Sequence, residues 1–319
     1  MRQLWRNLIL FLLPLFMVVC FVLVVHPDGP PNPNGFMGGL LDKHSRLQSI
    51  KTPRLILGGG SNLAFGVNSE RLEKVFGMPV VNLGLHGGLG LEFMLGELRH
   101  SIRKGDVVLL SIEHQLDMEG QPDLKRYVGE LFPESKSYCN PSFPEKISLL
   151  LGETKEGLEK ILSGGLGHND STQIENNPVY TRSAFNKYGD VVAHIGQQSF
   201  YNAGLVKPFR YEPWKGIEAI NAFYDFALES GVDVHYLFPC YPYSNFESNK
   251  AALHKITEAV KEGVHIPILN SESDFVYADS LFYDTKYHLN GEGRERRTDR
   301  LIEILQQKGV LNPTKRLRN

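Results

Sequence analysis

The stretch PRLILGGGSNLAFG, running from Pro53 to Gly66, decides how this chain folds. Arg54–Leu57 is a short apolar run. Three glycines then lead into Ser61 and Asn62, and a helical pattern starts at about Asn68. An apolar strand that breaks into Gly-Gly-Gly-Ser brings a hydroxyl to the carboxyl end of a sheet. Glycine permits the tight backbone that a sharp strand-to-helix turn requires. The helix N-terminus that follows directs unpaired N–H groups at an anion formed there. An ordinary βα turn with Ser61 as a capping residue accounts for the same residues.

Outward from this turn, apolar strand-like runs alternate with helical patterns. The further strands are expected at Pro79–Leu85, Asp106–Ile112, Asp233–Phe238 and His265–Leu269. Ser69–Phe76, Gly90–Arg103, Lys215–Ser230, Phe246–Glu262 and Gly293–Lys308 carry apolar residues at helical spacing; Ile217, Ile220, Phe223, Tyr224, Ala227 and Leu228 show it best. Short apolar strands alternating with helices predict an α/β fold with a parallel sheet covered on both faces. Ligands bind such sheets at the carboxyl ends of their strands. One segment breaks the alternation. Residues 113–214 are rich in Pro, Gly, Asn, Ser and Tyr, with a helix expected at Glu145–Leu162 and a hairpin-like turn at Ala184–Ile195. An insertion of that length at the active end of a sheet reads as a cap or substrate-binding excursion.

The start of the chain bears on its compartment. Leu8–Val25 is uniformly apolar and long enough to cross a bilayer. Arg2 and Arg6 precede it and no basic residue follows until Lys43, which places residues 1–7 in the cytoplasm and everything after Val25 outside. A cleaved signal peptide is the competing reading. The run is long for that, and HPDGPPNPNG after it lacks a small-x-small cleavage site. The expectation is therefore a single-pass signal anchor at 8–25, a linker at 26–39 and one extracytoplasmic domain at 40–319. A net charge of −2 gives no argument for nucleic acid. Three cysteines are too few for a disulfide scaffold; Cys20 lies in the apolar run, which leaves Cys139 and Cys240 as the possible pair.

Two further stretches carry chemistry. VNLGLHGGLG, Val81–Gly90, follows the second strand, and its glycines leave backbone N–H groups uncovered for an oxyanion. Neither glycine cluster fits a nucleotide-binding motif. DSLFYDTKYHLNGEGRERRT, Asp279–Thr298, opens the last helix and holds Asp284 and His288 in one polar loop. A serine hydroxyl needs a base within hydrogen-bond reach, and that base needs an orienting acceptor. A helix cap and a surface imidazole account for the same pair. His86, Glu113 and His114 lack the regular spacing of metal ligands, so no metal or other cofactor is expected. FPCYPYS, Phe238–Ser244, follows the fourth strand and offers Tyr241 and Tyr243 to line a substrate pocket, where aromatic rings suit a sugar face.

Together the three stretches resemble the SGNH/GDSL hydrolase superfamily. Its members carry a Ser after the first strand, a Gly after the second, an Asn after the third and an Asp–His pair before the last helix. GGGSNLAFG supplies Ser61, NLGLHGG supplies Gly84, and DTKYHLNGEG supplies Asp284 and His288. The resemblance implies a three-layer α/β/α, flavodoxin-like fold and an esterase or acyltransferase with Ser61 as nucleophile, His288 as base and Asp284 orienting it. It also implies an oxyanion hole built on the Ser61 and Gly84 amides. Two departures stand out. The third strand ends Ser111-Ile112-Glu113-His114 without the Asn, so Asn62 or His114 is left to supply that donor. Asp284 is one residue further from His288 than the usual D-x-x-H, which leaves Asp279 or a backbone carbonyl as an alternative orienting group. Both departures are similar to the membrane-anchored branch with alginate O-acetyltransferase-like and D-alanine transfer-like proteins. That likeness implies an acylated carbohydrate or envelope polymer as substrate and a multi-span membrane acyltransferase as partner. A binding or assembly protein on the same fold, its catalytic apparatus decayed, is the alternative.

Overall fold

A computed structural model describes residues 31–139, 177–205 and 208–313 throughout, with shorter stretches within 1–17 and at 154–155. The helix expected at Glu145–Leu162 lies outside the described residues except for Thr154 and Lys155, which are helical. Most of the 8–25 segment and residues 26–30 also lie outside them. Leu10–Pro14, Phe16 and Met17 are helical, and Leu10, Phe11, Phe16 and Met17 are exposed. Among the described residues no helix is long and apolar enough to cross a membrane.

The described fold opens before residue 40, which corrects the expected linker. Asn32 accepts a hydrogen bond from Tyr127 Oη, Gly35 bridges Thr181, and Phe36 and Met37 are buried. Two large apolar side chains are enough to seat this part of the segment among Phe65, Tyr180 and Phe185. Helix α1 (Gly39–Ser49) follows at once.

Four parallel strands form the sheet: β1 (Leu55–Gly59), β2 (Val80–Asn82), β3 (Val107–Ser111) and β4 (Asp233–Tyr236), in the order β2-β1-β3-β4. Between them run α2 (Ser61–Gly66), α3 (Ser69–Phe76), α4 (Gly90–Ser101), α5 (Pro122–Leu131) and α6 (Gly216–Glu229). Every residue of β1, β2 and β3 is buried, as apolar strands covered on both faces require. Ile56, Val108 and Val234 pack with Leu91, Leu98 and Phe223 of α4 and α6 on one face. Leu55, Leu57 and Leu109 face the other way, towards Leu63 and Leu72 of α2 and α3. At the amino edge Arg54 and Asp106, both fully buried, pair at 3.1 Å through Nε and Oδ1.

Beyond β4 lie β5 (Tyr241–Pro242), α7 (Tyr243–Ser248), α8 (Lys250–Gly263), β6 (Val276–Tyr277) and α9 (Gly291–Gln307). The fifth strand expected at His265–Leu269 is reduced to a parallel bridge between Tyr236 and Ile268. Pro267 accepts from Tyr236 N at 2.9 Å but has no N–H to give, so the ladder stops after one rung. The single helix expected over Phe246–Glu262 is two, parted at Asn249. Its side chain accepts from Phe209 N at 2.6 Å and donates to Asn245 O at 2.8 Å. In the insertion, Phe185 and Val191 form an antiparallel bridge around Gly189, whose φ of 95° suits glycine in the expected turn. Cys139 and Cys240 are both free thiols.

Candidate active site

The glycine turn after β1 is shaped by what packs against it. A side chain at Gly60 would drive its Cβ to 2.4 Å from the Glu113 carboxylate, and one at Gly84 would bring it to 2.7 Å from Gly60 O. The loops after β1, β2 and β3 therefore close on one another at the carboxyl end of the sheet. Ser61 is the first residue of α2, so the helix begins there and not at Asn68. Asn68 instead caps α3 through its side chain, which accepts from Arg71 N. Ser61 Oγ makes no hydrogen bond among the described residues.

Asp284 and His288 sit on a loop closed at both ends. Tyr283 N donates to His288 O at 2.8 Å, Asn290 N to Leu281 O at 2.9 Å, and Phe282 bridges Leu289. Within it His288 N reaches Thr285 O at 3.3 Å, a single turn that folds the extra residue back. The outcome is a His288 Nδ1···Asp284 Oδ1 contact of 2.7 Å. Asp284, not Asp279, is thus the acceptor: Asp279 is taken by the backbone N–H and hydroxyl of Ser244. Burial pushes the Asp284 carboxyl up, but the hydrogen bonds from His288 and Tyr180 outweigh it and hold it below its usual range.

His288 stacks on Phe65 at 3.9 Å between centroids, with 5° between the planes. Phe65 lies one helical turn after Ser61, on the same face of α2. The imidazole is therefore laid against the helix that Ser61 opens. No hydrogen bond joins Ser61 to His288, and His288 Nε2 has no partner among the described residues. Asn290 and Gly293 have structural duties: Asn290 caps α9 by accepting from Gly293 N at 3.0 Å, and glycine at 293 keeps the helix clear of Leu281 O.

Several expected donors are engaged elsewhere. Gly84 N–H is given to Asn82 Oδ1 at 3.0 Å, so it is not free for an oxyanion. Asn62 is fully buried; its Nδ2 donates to Ser111 O at 3.0 Å and its Oδ1 accepts from Arg297 at 3.0 Å. It braces the turn and points no donor outward. His114 pairs with Tyr287 Oη at 3.1 Å and lies among the rings of Phe209, Tyr241 and Tyr287, where burial pushes it down to about 3. Tyr241 is only 1% exposed within that same cluster, so its ring offers no face to a sugar. Tyr243 is 59% exposed, in α7.

Sequence reasoning missed four participants. Tyr180, from the insertion, donates its hydroxyl to the second oxygen of Asp284. Glu113, 6% exposed just after β3, accepts Asn62 N–H at 3.0 Å; its Oε2 is buried without a partner. Asp190 ties the insertion hairpin to Asn82 Nδ2 and Arg294, at 2.9 Å each. Lys43 donates to the carbonyls of Asn82, Gly84 and Gly189 at 2.9, 2.8 and 2.5 Å, joining the loop after β2 to that hairpin. None carries a local signal, because each partner lies at least 39 residues away. Among the described residues no group of three His, Cys, Asp or Glu side chains could hold a metal ion. Glu113 and His114 are committed to Asn62 and Tyr287.

Lys43 gives the site a measurable signature. Burial pushes its ammonium down to about 7, while Asp190, Glu97 and Asp42 hold it up. In the unfolded chain it keeps its ordinary value of 10.5. Below pH 7 both states hold the proton and this contribution is flat. Above it the unfolded state binds more protons, so stability rises with pH, by at most about 1.4 kcal/mol per unit. Chemical denaturation between pH 7 and about 8.5 should show that rise in wild type relative to Lys43→Met, in which the other titrating groups are unchanged. Parallel curves for the two proteins would contradict it.

No family model matches this chain. No curated protein matches it either. Among solved structures it is similar to an acetyl xylan esterase from the rumen bacterium Butyrivibrio proteoclasticus, at 11% identity and a TM-score of 0.24. That match covers 82% of this chain and 65% of the esterase. The chain thus spans less than two thirds of that enzyme's length. A likeness of this degree assigns neither fold family nor chemistry, which rest on the residues themselves.

Proposed function

We propose that this chain is a membrane-anchored serine esterase or O-acyltransferase of the SGNH type, with a flavodoxin-like α/β/α domain. Its substrate would be the acyl esters of a cell-envelope carbohydrate. One observation carries the reading: His288, bonded to Asp284 at 2.7 Å, lies against the helix that Ser61 opens and keeps Nε2 free. In this mechanism His288 Nε2 takes the Ser61 hydroxyl proton as Oγ attacks the ester carbonyl. The tetrahedral intermediate collapses to acyl-Ser61, and the alcohol leaves with the proton from His288. Water then yields the acid, or a sugar hydroxyl takes the acyl group. The apolar segment at 8–25, with Arg2 and Arg6 before it, supports anchoring with the domain outside the cytoplasm. A multi-span membrane acyltransferase would be the partner if transfer is the reaction.

Glu113 favours a second reading. A carboxylate stands where the family carries an amide donor, which suits a binding or assembly protein with decayed catalysis. A fluorophosphonate probe separates the two. Wild type should be labelled on Ser61, Ser61→Ala not at all, and His288→Ala slowly, since only an activated serine reacts. A folded wild-type protein left unlabelled would favour the binding protein.

A further inference from the structure

With Gly84, Asn62 and His114 engaged, the donors left at the carboxyl ends of β1 and β2 are few. Ser61 N–H and Gly87 N–H make no hydrogen bond among the described residues. Next to Gly87 in the chain is His86, which follows β2 and precedes the 3-10 turn Gly87–Leu89. Its Nδ1 accepts Gly88 N–H at 2.9 Å. A ring nitrogen that accepts a hydrogen bond carries no proton, so the neutral ring bears its proton on Nε2. That Nε2–H has no partner among the described residues. Gly88 is suited to this contact, since a Cβ there would stand 2.9 Å from His86 Nδ1 and Cε1.

The loop that carries His86 abuts the nucleophile turn. A Cβ at Gly84 would meet Gly60 O, Leu63 Cβ and the Ala64 amide within 3.0 Å. Burial, and after it the charge of His288, lowers the affinity of His86 for a second proton. A neutral donor with a fixed tautomer suits charge that develops on a carbonyl oxygen.

Resting on the esterase reading, we infer that His86 is a catalytic residue: its Nε2–H donates to the oxyanion formed when Ser61 attacks. It would thus stand in for the side-chain donor the family takes from Asn. No covalent bond forms to His86, and its proton stays on Nε2 throughout.

The test is turnover of p-nitrophenyl acetate and fluorophosphonate labelling of the full chain, comparing wild type with His86→Ala, His86→Gln and His86→Asn. His86→Ala should lower kcat about 100-fold with KM within about threefold, and should slow labelling similarly. His86→Gln should recover part of kcat, because its amide N–H stands near the former Nε2. His86→Asn should not, although its carbonyl can keep the Gly88 bond and the loop with it. Equal recovery by both amides would make His86 a structural cap, and a kcat for His86→Ala within about threefold of wild type would remove it from the chemistry. A folded wild type that neither labels nor turns over would overturn the esterase reading and this inference together. Labelling of wild type with no effect of His86 would overturn this inference alone.

Discussion

Replacing Asp284 with asparagine is expected to lower ester turnover about 10⁴-fold while leaving the fold intact. The amide is isosteric, and Tyr180 can still donate to its oxygen. The change acts on His288. Asp284 Oδ1 accepts from Nδ1 at 2.7 Å, which leaves Nε2 unprotonated and able to take the Ser61 proton. An amide nitrogen facing Nδ1 would donate instead, moving the ring proton to Nε2 and removing the base. Tyr180→Phe should cost far less, about tenfold or below: it frees one carboxylate oxygen and leaves the His288 bond in place. Asp279→Asn should be silent in kcat, since its carboxylate serves Ser244. Steady-state kinetics on the three variants, with circular dichroism to confirm folding, checks the order. If Asp284→Asn matches wild type, Asp284 drops out and a Ser61–His288 dyad remains.

The parts of this molecule that can be read from the sequence are those in which neighbours in the chain are neighbours in space. β1, β2 and β3 appear as unbroken apolar runs because both faces are covered. Ser61 follows its glycines directly, and Asp284 and His288 share a loop closed by adjacent residues. The added residue between Asp284 and His288 is no obstacle, because a turn at Thr285 takes it up. What cannot be read is which polar atoms are already spent. Asn62 looks like a free donor until Ser111, 49 residues later, is seen to accept from its Nδ2. Gly84 looks uncovered, yet Asn82 two residues earlier takes its N–H. Tyr180 reaches Asp284 across 104 residues. Tyr241 reads as a pocket aromatic because aromatic residues suit both a sugar and a core; only packing decides. Phe36 and Met37 are similarly hidden by the Pro- and Gly-rich residues around them, although two buried side chains suffice to dock a segment.

The insertion and the candidate site stand or fall together at Asp190, and the stability of Asp190→Ala measures how strongly. Asp190 is fully buried and accepts from Ser69 N at 2.9 Å, Ser69 Oγ at 2.5 Å, Asn82 Nδ2 at 2.9 Å and Arg294 at 2.9 Å. Alanine would leave the Arg294 guanidinium, whose side chain is 5% exposed, with only the partly solvent-exposed Glu295 carboxylate at 3.3 Å as a counter-charge. Removing one partner of a buried pair costs about 3–5 kcal/mol, because the other charge stays desolvated. Asp190→Ala should therefore lose about that much in urea denaturation, more than Ser69→Ala, which removes only one hydrogen bond. Arg294→Met in the Asp190→Ala background should restore part of the loss, since it removes the stranded charge. The effect should extend to chemistry. Asn82 Nδ2 is held by Asp190 while its Oδ1 fixes the Gly84 amide, so a loosened Asn82 loosens the loop that carries His86. Turnover should fall along with stability in Asp190→Ala, and the Arg294→Met double variant should regain stability without regaining turnover. A loss below about 1 kcal/mol would mean that Glu295 and water serve Arg294 as well as the Asp190 carboxylate does. The hairpin that carries Asp190 would then be a passenger on the sheet, and Tyr180 would be what joins the insertion to the site.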